Sequence, residues 1–237
     1  MVLFRAGALC GAAPLYGMKS LPVRLRLALS VVLAYAAFAG AGFPPLASGG
    51  AVGPLVTGAI TETIIGLSAG LAARFALDAA SAAGQIIATS VGLSFGATVD
   101  PVHGAETTAV GELLSMIALG TMLTAGLHRE LVGWLCRSVV TIPPGASVAI
   151  PRLAAAVVAH GISAVALSVR MAFPVMAAVT FGHVALGAVG RTAPQLNISS
   201  VGFSITILAG GGVFYMIAPS VAEMATRAAQ EVLARGT

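Results

Sequence analysis

Charge is what this sequence has least of. Of its 237 residues only 8% are Asp, Glu, Lys or Arg, where a soluble domain carries roughly 25%. Eight acids and twelve cations are too few to coat a globule of this size, which excludes an ordinary soluble enzyme and a disordered tail. Cysteine is scarce too: Cys10 and Cys136 both lie in apolar surroundings, so a disulfide scaffold is excluded and buried thiols are expected. Chemical signatures are missing as well. There is no Walker-type loop, no dinucleotide fingerprint and no Cys/His zinc spacing. No basic stretch precedes the first apolar run and no clear small-residue cleavage site follows it, so no removable signal peptide is expected.

What the sequence does have is apolar length. Hydrophobic residues make up 58% of it and the mean hydropathy is +0.99. That composition specifies an integral membrane protein, at a length suited to one helical bundle. The net charge of +4 could suggest nucleic acid, but the cations are scattered singly between apolar runs rather than along one stripe. Their one cluster, Lys19, Arg24 and Arg26, suits a loop facing anionic lipid or the cytoplasm. The runs are long, rich in Ala and Leu, and lack the alternation of an outer-membrane barrel.

Charges and breakers divide the chain into six to eight helical segments. The clearest are Leu55–Ala73, interrupted by Glu62; Ala79–Val99; Leu113–Leu127; an amphipathic Leu131–Ile142; Leu153–Val169; Met171–Gly190; and Ile198–Ala218. Residues 1–222 read as a single multi-helix membrane domain and residues 223–237 as a polar C-terminal tail. Breakers also fall inside apolar runs, at Pro174 and Gly210–Gly212. Broken helices at membrane depth need neighbouring protein or a watery cavity to satisfy the freed backbone. The expectation is therefore part of an assembly or the lining of a path.

Three chemical readings arise from the residues. Gly66-Leu67-Ser68-Ala69-Gly70 and Gly92-Leu93-Ser94-Phe95-Gly96 match G-x-S-x-G, the mark of a nucleophilic serine on a strand-to-helix elbow. Both lie in helical runs, where small residues serve close helix packing instead, and nothing fixes His160 or His183 beside either serine. Asp100, His103 and Glu106 could ligate a metal, but no fourth ligand accompanies them, and a solvated acidic loop is the plainer reading. Glu62, Arg170 and the Arg74/Asp78 pair are ionisable groups in apolar runs, which are expensive in a membrane and point to function. A proton-coupled small-molecule transporter would use them; pairing between helices or subunits is the structural alternative.

Five blocks, taken in order, resemble one family. They are Arg5-Ala6-Gly7 with Pro14-Leu15-Tyr16-Gly17 and Pro22-Val23-Arg24; Glu62-Thr63-Ile64-Ile65-Gly66; Ala83-Gly84 with Gly92-Leu93-Ser94-Phe95 and Asp100-Pro101; Gly126-Leu127-His128 with Pro143-Pro144-Gly145; and Ala172-Phe173-Pro174 through Arg191-Thr192-Ala193-Pro194-Gln195-Leu196-Asn197 to Gly202-Phe203. The set is similar to the FliR family, a membrane component of flagellar and virulence-associated type III export gates, and it runs from about Arg5 to Pro219.

The resemblance implies an all-α integral membrane protein whose kinked helical hairpins assemble with partner subunits into a helical export-gate complex. It implies a non-enzymatic role, with no catalytic, cofactor or metal site and no nucleic acid. The implied partners are FliP-like and FliQ-like subunits, FlhB-like and FlhA-like components, unfolded secreted proteins as substrates, and lipid of the bacterial inner membrane at the base of a flagellum or injectisome. The family's pore plug falls on Gly92–Glu106, with Gly92, Leu93, Ser94, Phe95, Gly96, Asp100 and Pro101 as its candidate residues. Glu62, Arg74, Asp78, Arg170, Arg191, Gln195 and Asn197 are then expected as polar contacts between helices or subunits.

Overall fold

A computed structural model of the chain describes residues 1–16, 22–44, 52–93, 108–146, 148–192 and 198–235. Among these the regular structure is helical throughout: α1 (Val2–Ala12), α2 (Val23–Gly40), α3 (Val52–Val91), α4 (Ala109–Thr124), α5 (Leu127–Thr141), α6 (Ile150–Thr192) and α7 (Ile198–Arg235). Four of them, α2, α3, α6 and α7, are long and apolar enough to cross a membrane. The pair α4 and α5, bent by 61° at its junction, passes the same test as one unit. Gly126 makes that bend possible, with φ at +81° in the left-handed region. The chain is an all-α integral membrane protein.

The described helices are longer than the division by charges predicts. α3 runs continuously past Arg74 and Asp78, and α6 continues through Arg170 and Pro174. α7 passes through Gly210–Gly212. An isolated charge does not interrupt a helix; it only decides what must surround that point. In an apolar setting the helix also satisfies its own backbone, so weak helix formers stay helical. The end of α3 corrects the sequence in the other direction. It stops at Val91 rather than Val99, because Gly92 adopts φ +87° and the Leu93 N–H returns to the Ala88 carbonyl at 2.8 Å. That is a Schellman ending, in which a left-handed glycine closes the last turn.

The contacts divide the chain into two units, with boundaries inside α3, α4, α6 and α7. The first comprises residues 1–77, 121–163 and 226–237, and its core includes Leu9, Ile65, Met122, Leu127, Leu131 and Leu135. α1 packs on α2, and α2 on α5. α1 also lies directly on α3, because a Cβ on Gly66 would overlap the Arg5 carbonyl. The Tyr16 hydroxyl, just beyond α1, donates to the His128 carbonyl at 3.0 Å. Burial pushes the Tyr16 phenol above its ordinary pKa, so it stays protonated and able to donate.

The second unit comprises residues 78–120 and 164–225, with Ile87, Leu114, Met171 and Val175 in its core. Here α3 meets α4 at Gly84, where an added Cβ would collide with Gly111. Residues 223–235, set apart on polarity, continue α7 without a break. Within the first unit, Ala229 and Leu233 of this stretch are buried. Gln230 Nε2 donates there to Glu130 Oε1 at 3.0 Å.

Candidate functional site

A fully buried ion pair lies in the first unit. Arg5 of α1 is 0% exposed and Glu62 of α3 is 1% exposed. The guanidinium meets the carboxylate fork to fork: Nε donates to Oε2 at 2.7 Å and Nη2 to Oε1 at 2.9 Å. Parallel bonds of this kind are short and geometrically specific. The remaining donors are used as well. Nη1 donates to the Ser138 carbonyl at 2.7 Å and to its Oγ at 3.1 Å, and Nη2 donates to the Ile142 carbonyl at 3.0 Å. The Gly145 N–H in turn donates to Glu62 Oε1 at 3.2 Å.

Each element has a reason to be there. α1 reaches the pair because Gly66 and Gly70 of α3 carry no side chains: a Cβ on Gly70 would strike the Ala12 methyl. α5 presents Ser138, whose carbonyl also accepts the Ile142 N–H at 2.9 Å, and just past its C-terminus the Ile142 carbonyl, which has no further helical partner. Arg5 supplies that partner for Ile142. The Pro143-Pro144-Gly145 turn ends with Gly145 at φ +83°, which aims its N–H at the carboxylate. One arginine therefore ties α1, α3, the end of α5 and the following turn together. Burying two charges is costly, and it is sustained here because nearly every donor and lone pair finds a partner.

This cluster is arranged for rigidity rather than for chemistry. Glu62 has no solvent access and is held bidentately, a poor setting for a proton carrier. Ser68 and His160 do line one cavity of about 120 Å³ with Trp134 and Leu153. Ser68 Oγ, however, donates to the Ile65 carbonyl at 2.8 Å, and the residue sits mid-helix instead of on an elbow. Among the described residues no group of three His, Cys, Asp or Glu side chains is placed to hold a metal ion.

The remaining polar residues singled out from the sequence do not join Glu62. Arg74 and Asp78 are exposed on α3, and Arg170 and Arg191 are exposed on α6. Gln195 and Asn197 lie outside the described residues, as do Ser94, Phe95, Gly96, Asp100, Pro101, His103 and Glu106 of the plug and metal readings. Of the plug only its start is described: Gly92 in its left-handed turn and Leu93, which is exposed. Sequence reasoning passed over Arg5, Ser138 and Gly145 as site residues. The available signal was Arg5 itself, an arginine inside the apolar run that becomes α1, and the need of a buried Glu62 for a cation.

The ordered blocks of sequence, the membrane helices and this hub can now be set beside known proteins. The family model for bacterial export proteins, family 1, matches residues 1–232. The chain belongs to that family. Similar proteins include the flagellar biosynthetic protein FliR of Escherichia coli K12, 29% identical over 222 residues, covering 93% of this chain and 84% of that protein. FliR of Caulobacter vibrioides is 27% identical over 240 residues, covering 98% and 93%. FliR of Bacillus subtilis is 29% identical over 212 residues, covering 87% and 80%. The hub binds the first block of the family resemblance, Arg5, to the second, Glu62, and to the fourth, Gly145.

Proposed function

We propose that this chain is a membrane subunit of the bacterial flagellar type III export gate. It assembles with FliP-like and FliQ-like subunits into a helical complex, through which unfolded substrate proteins cross the inner membrane at the base of the flagellum. It carries no catalysis; FlhB-like and FlhA-like components supply the rest of the machine. The flagellar names of the three relatives favour the flagellum over an injectisome.

One observation carries the reading: the helices are too long for lipid alone. A hydrocarbon core of about 30 Å, crossed at a steep tilt of about 40°, matches only about 26 helical residues. α3, α6 and α7 have 40, 43 and 38 residues. Roughly 12 to 17 residues of each therefore project beyond the hydrocarbon. α6 does not turn polar there: Arg152, Arg170 and Arg191 are its only charged residues. Large apolar side chains stay uncovered on α6 and α7, with Phe181 75% and Tyr215 83% exposed. Apolar surface of this extent that lipid does not reach requires protein to cover it. Neighbouring subunits of a gate would do so.

Within that assembly the Arg5–Glu62 hub holds α1, α3 and the turn after α5 in one arrangement for docking. Residues 92–106 serve as the plug that closes the lumen, and Arg74, Asp78, Arg191, Gln195 and Asn197 form polar contacts between helices or subunits. The test is deletion of the gene followed by complementation. Deletion should abolish swimming and leave flagellin out of the culture medium, and the intact gene should restore both. Normal flagellin export in the deletion strain would refute the assignment.

A further inference from the structure

Arg170 lies near the middle of the 43-residue α6, about 30 Å from either end at 1.5 Å per residue. In this half of the helix the buried residues are Ser168, Met171, Ala172, Val175 and Val179. At about 100° per residue these cluster around one direction, and Arg170 points the opposite way. It shares that outer face with exposed Phe173, Phe181 and Val184 and with the small Ala166 and Ala177. It is exposed and makes no ion pair or side-chain hydrogen bond with any described residue. Its main chain is also short of a partner. Pro174, four residues on, has no N–H to give the Arg170 carbonyl.

A guanidinium with no partner among the described residues and a freed carbonyl, at one point of an apolar helix, are both costly against lipid. Neither is required for α6 to fold, since that face is exposed among the described residues. We infer that Arg170 is an assembly contact, its guanidinium met by a carboxylate on a membrane helix of a partner subunit. Charge complementarity selects the partner: a helix with one Asp or Glu at this level, approaching closely because alanines leave room beside the arginine. The large Phe173 and Phe181 then bracket the crossing. This rests on the proposed function, because it needs an assembled gate.

The test uses the tagged full chain purified in mild detergent from its own cells, with the FliP-like and FliQ-like subunits quantified in the eluate. Arg170→Leu and Arg170→Glu should lower the recovery of those subunits at least tenfold, while Arg170→Lys, which keeps the charge, should stay within about threefold. The variants should keep the parent's thermal stability as free chains, because the side chain is exposed and makes no ion pair or side-chain hydrogen bond with any described residue. A lysine placed at the matching partner carboxylate should restore recovery with Arg170→Glu. Parental complex with Arg170→Leu and Arg170→Glu at unchanged yield would overturn this inference and leave the gate assignment standing, with lipid headgroups or water covering the arginine instead. Absence of both subunits from the parental eluate would overturn the assignment and the inference together.

Discussion

Replacing Arg5 with methionine removes the cation from the buried hub while keeping much of its volume. The Glu62 carboxyl is then left without its cation and 1% exposed, and the Gly145 N–H at 3.2 Å still donates to it. Breaking one side of a buried pair costs about 3–5 kcal/mol. The Ile142 carbonyl also loses its bond to Arg5, which falls within the same figure. At about 2–4 °C per kcal/mol for a chain of this length, the melting temperature should fall by roughly 6–20 °C. Trp134 is the one tryptophan, buried on α5 one turn before Ser138, so its fluorescence in mild detergent reports unfolding at the hub. Arg5→Met/Glu62→Met removes both charges, and it should cost about 2–3 kcal/mol less than the two single changes added together. A melting temperature for Arg5→Met within about 2 °C of the parent, or strict additivity in the double variant, would refute the hub as a clamp.

Other expectations follow from the same geometry. Gly66→Ala should destabilise by about 1–3 kcal/mol through overpacking, whereas Gly7→Ala, where an added Cβ meets nothing within 4 Å, should be neutral or gain up to about 1 kcal/mol; equal melting temperatures would count against the α1–α3 contact. Gly92→Ala should cost about 1–2 kcal/mol at the left-handed end of α3 and speed amide exchange at Leu93, and unchanged exchange there would contradict the Schellman ending. Ser68→Ala should leave swimming intact, and its loss would reopen a hydrolytic reading. Trimming residues 92–106 to a short linker should raise ion leak through the closed gate, and unchanged conductance would remove them from the plug.

The membrane class was legible from composition, because so few charges leave no other way to satisfy the surface. Family membership was legible from blocks in order, none of them sufficient alone. Helix extents were harder to read. Charges at Arg74, Asp78 and Arg170 looked like punctuation, yet a helix passes a charge whenever something outside it provides for that charge. Gly92 did punctuate, since its left-handed φ closes the last turn of α3. The glycine pairs were legible only as a total. Gly66 and Gly70 seat α1, while Gly7 and Gly11, at the same spacing, face open space; the pattern cannot say which glycine another helix approaches. Glu62 stood out as an acid in an apolar run. Its partner lies 57 positions away, and such a pairing follows from the fold rather than from any local spacing.

The most direct test of the central claim is the intact mass of the tagged chain isolated in mild detergent from cells that make the flagellum. The expected result is a large particle that contains this chain together with FliP-like and FliQ-like subunits. A stable monomer or simple dimer without them would contradict it.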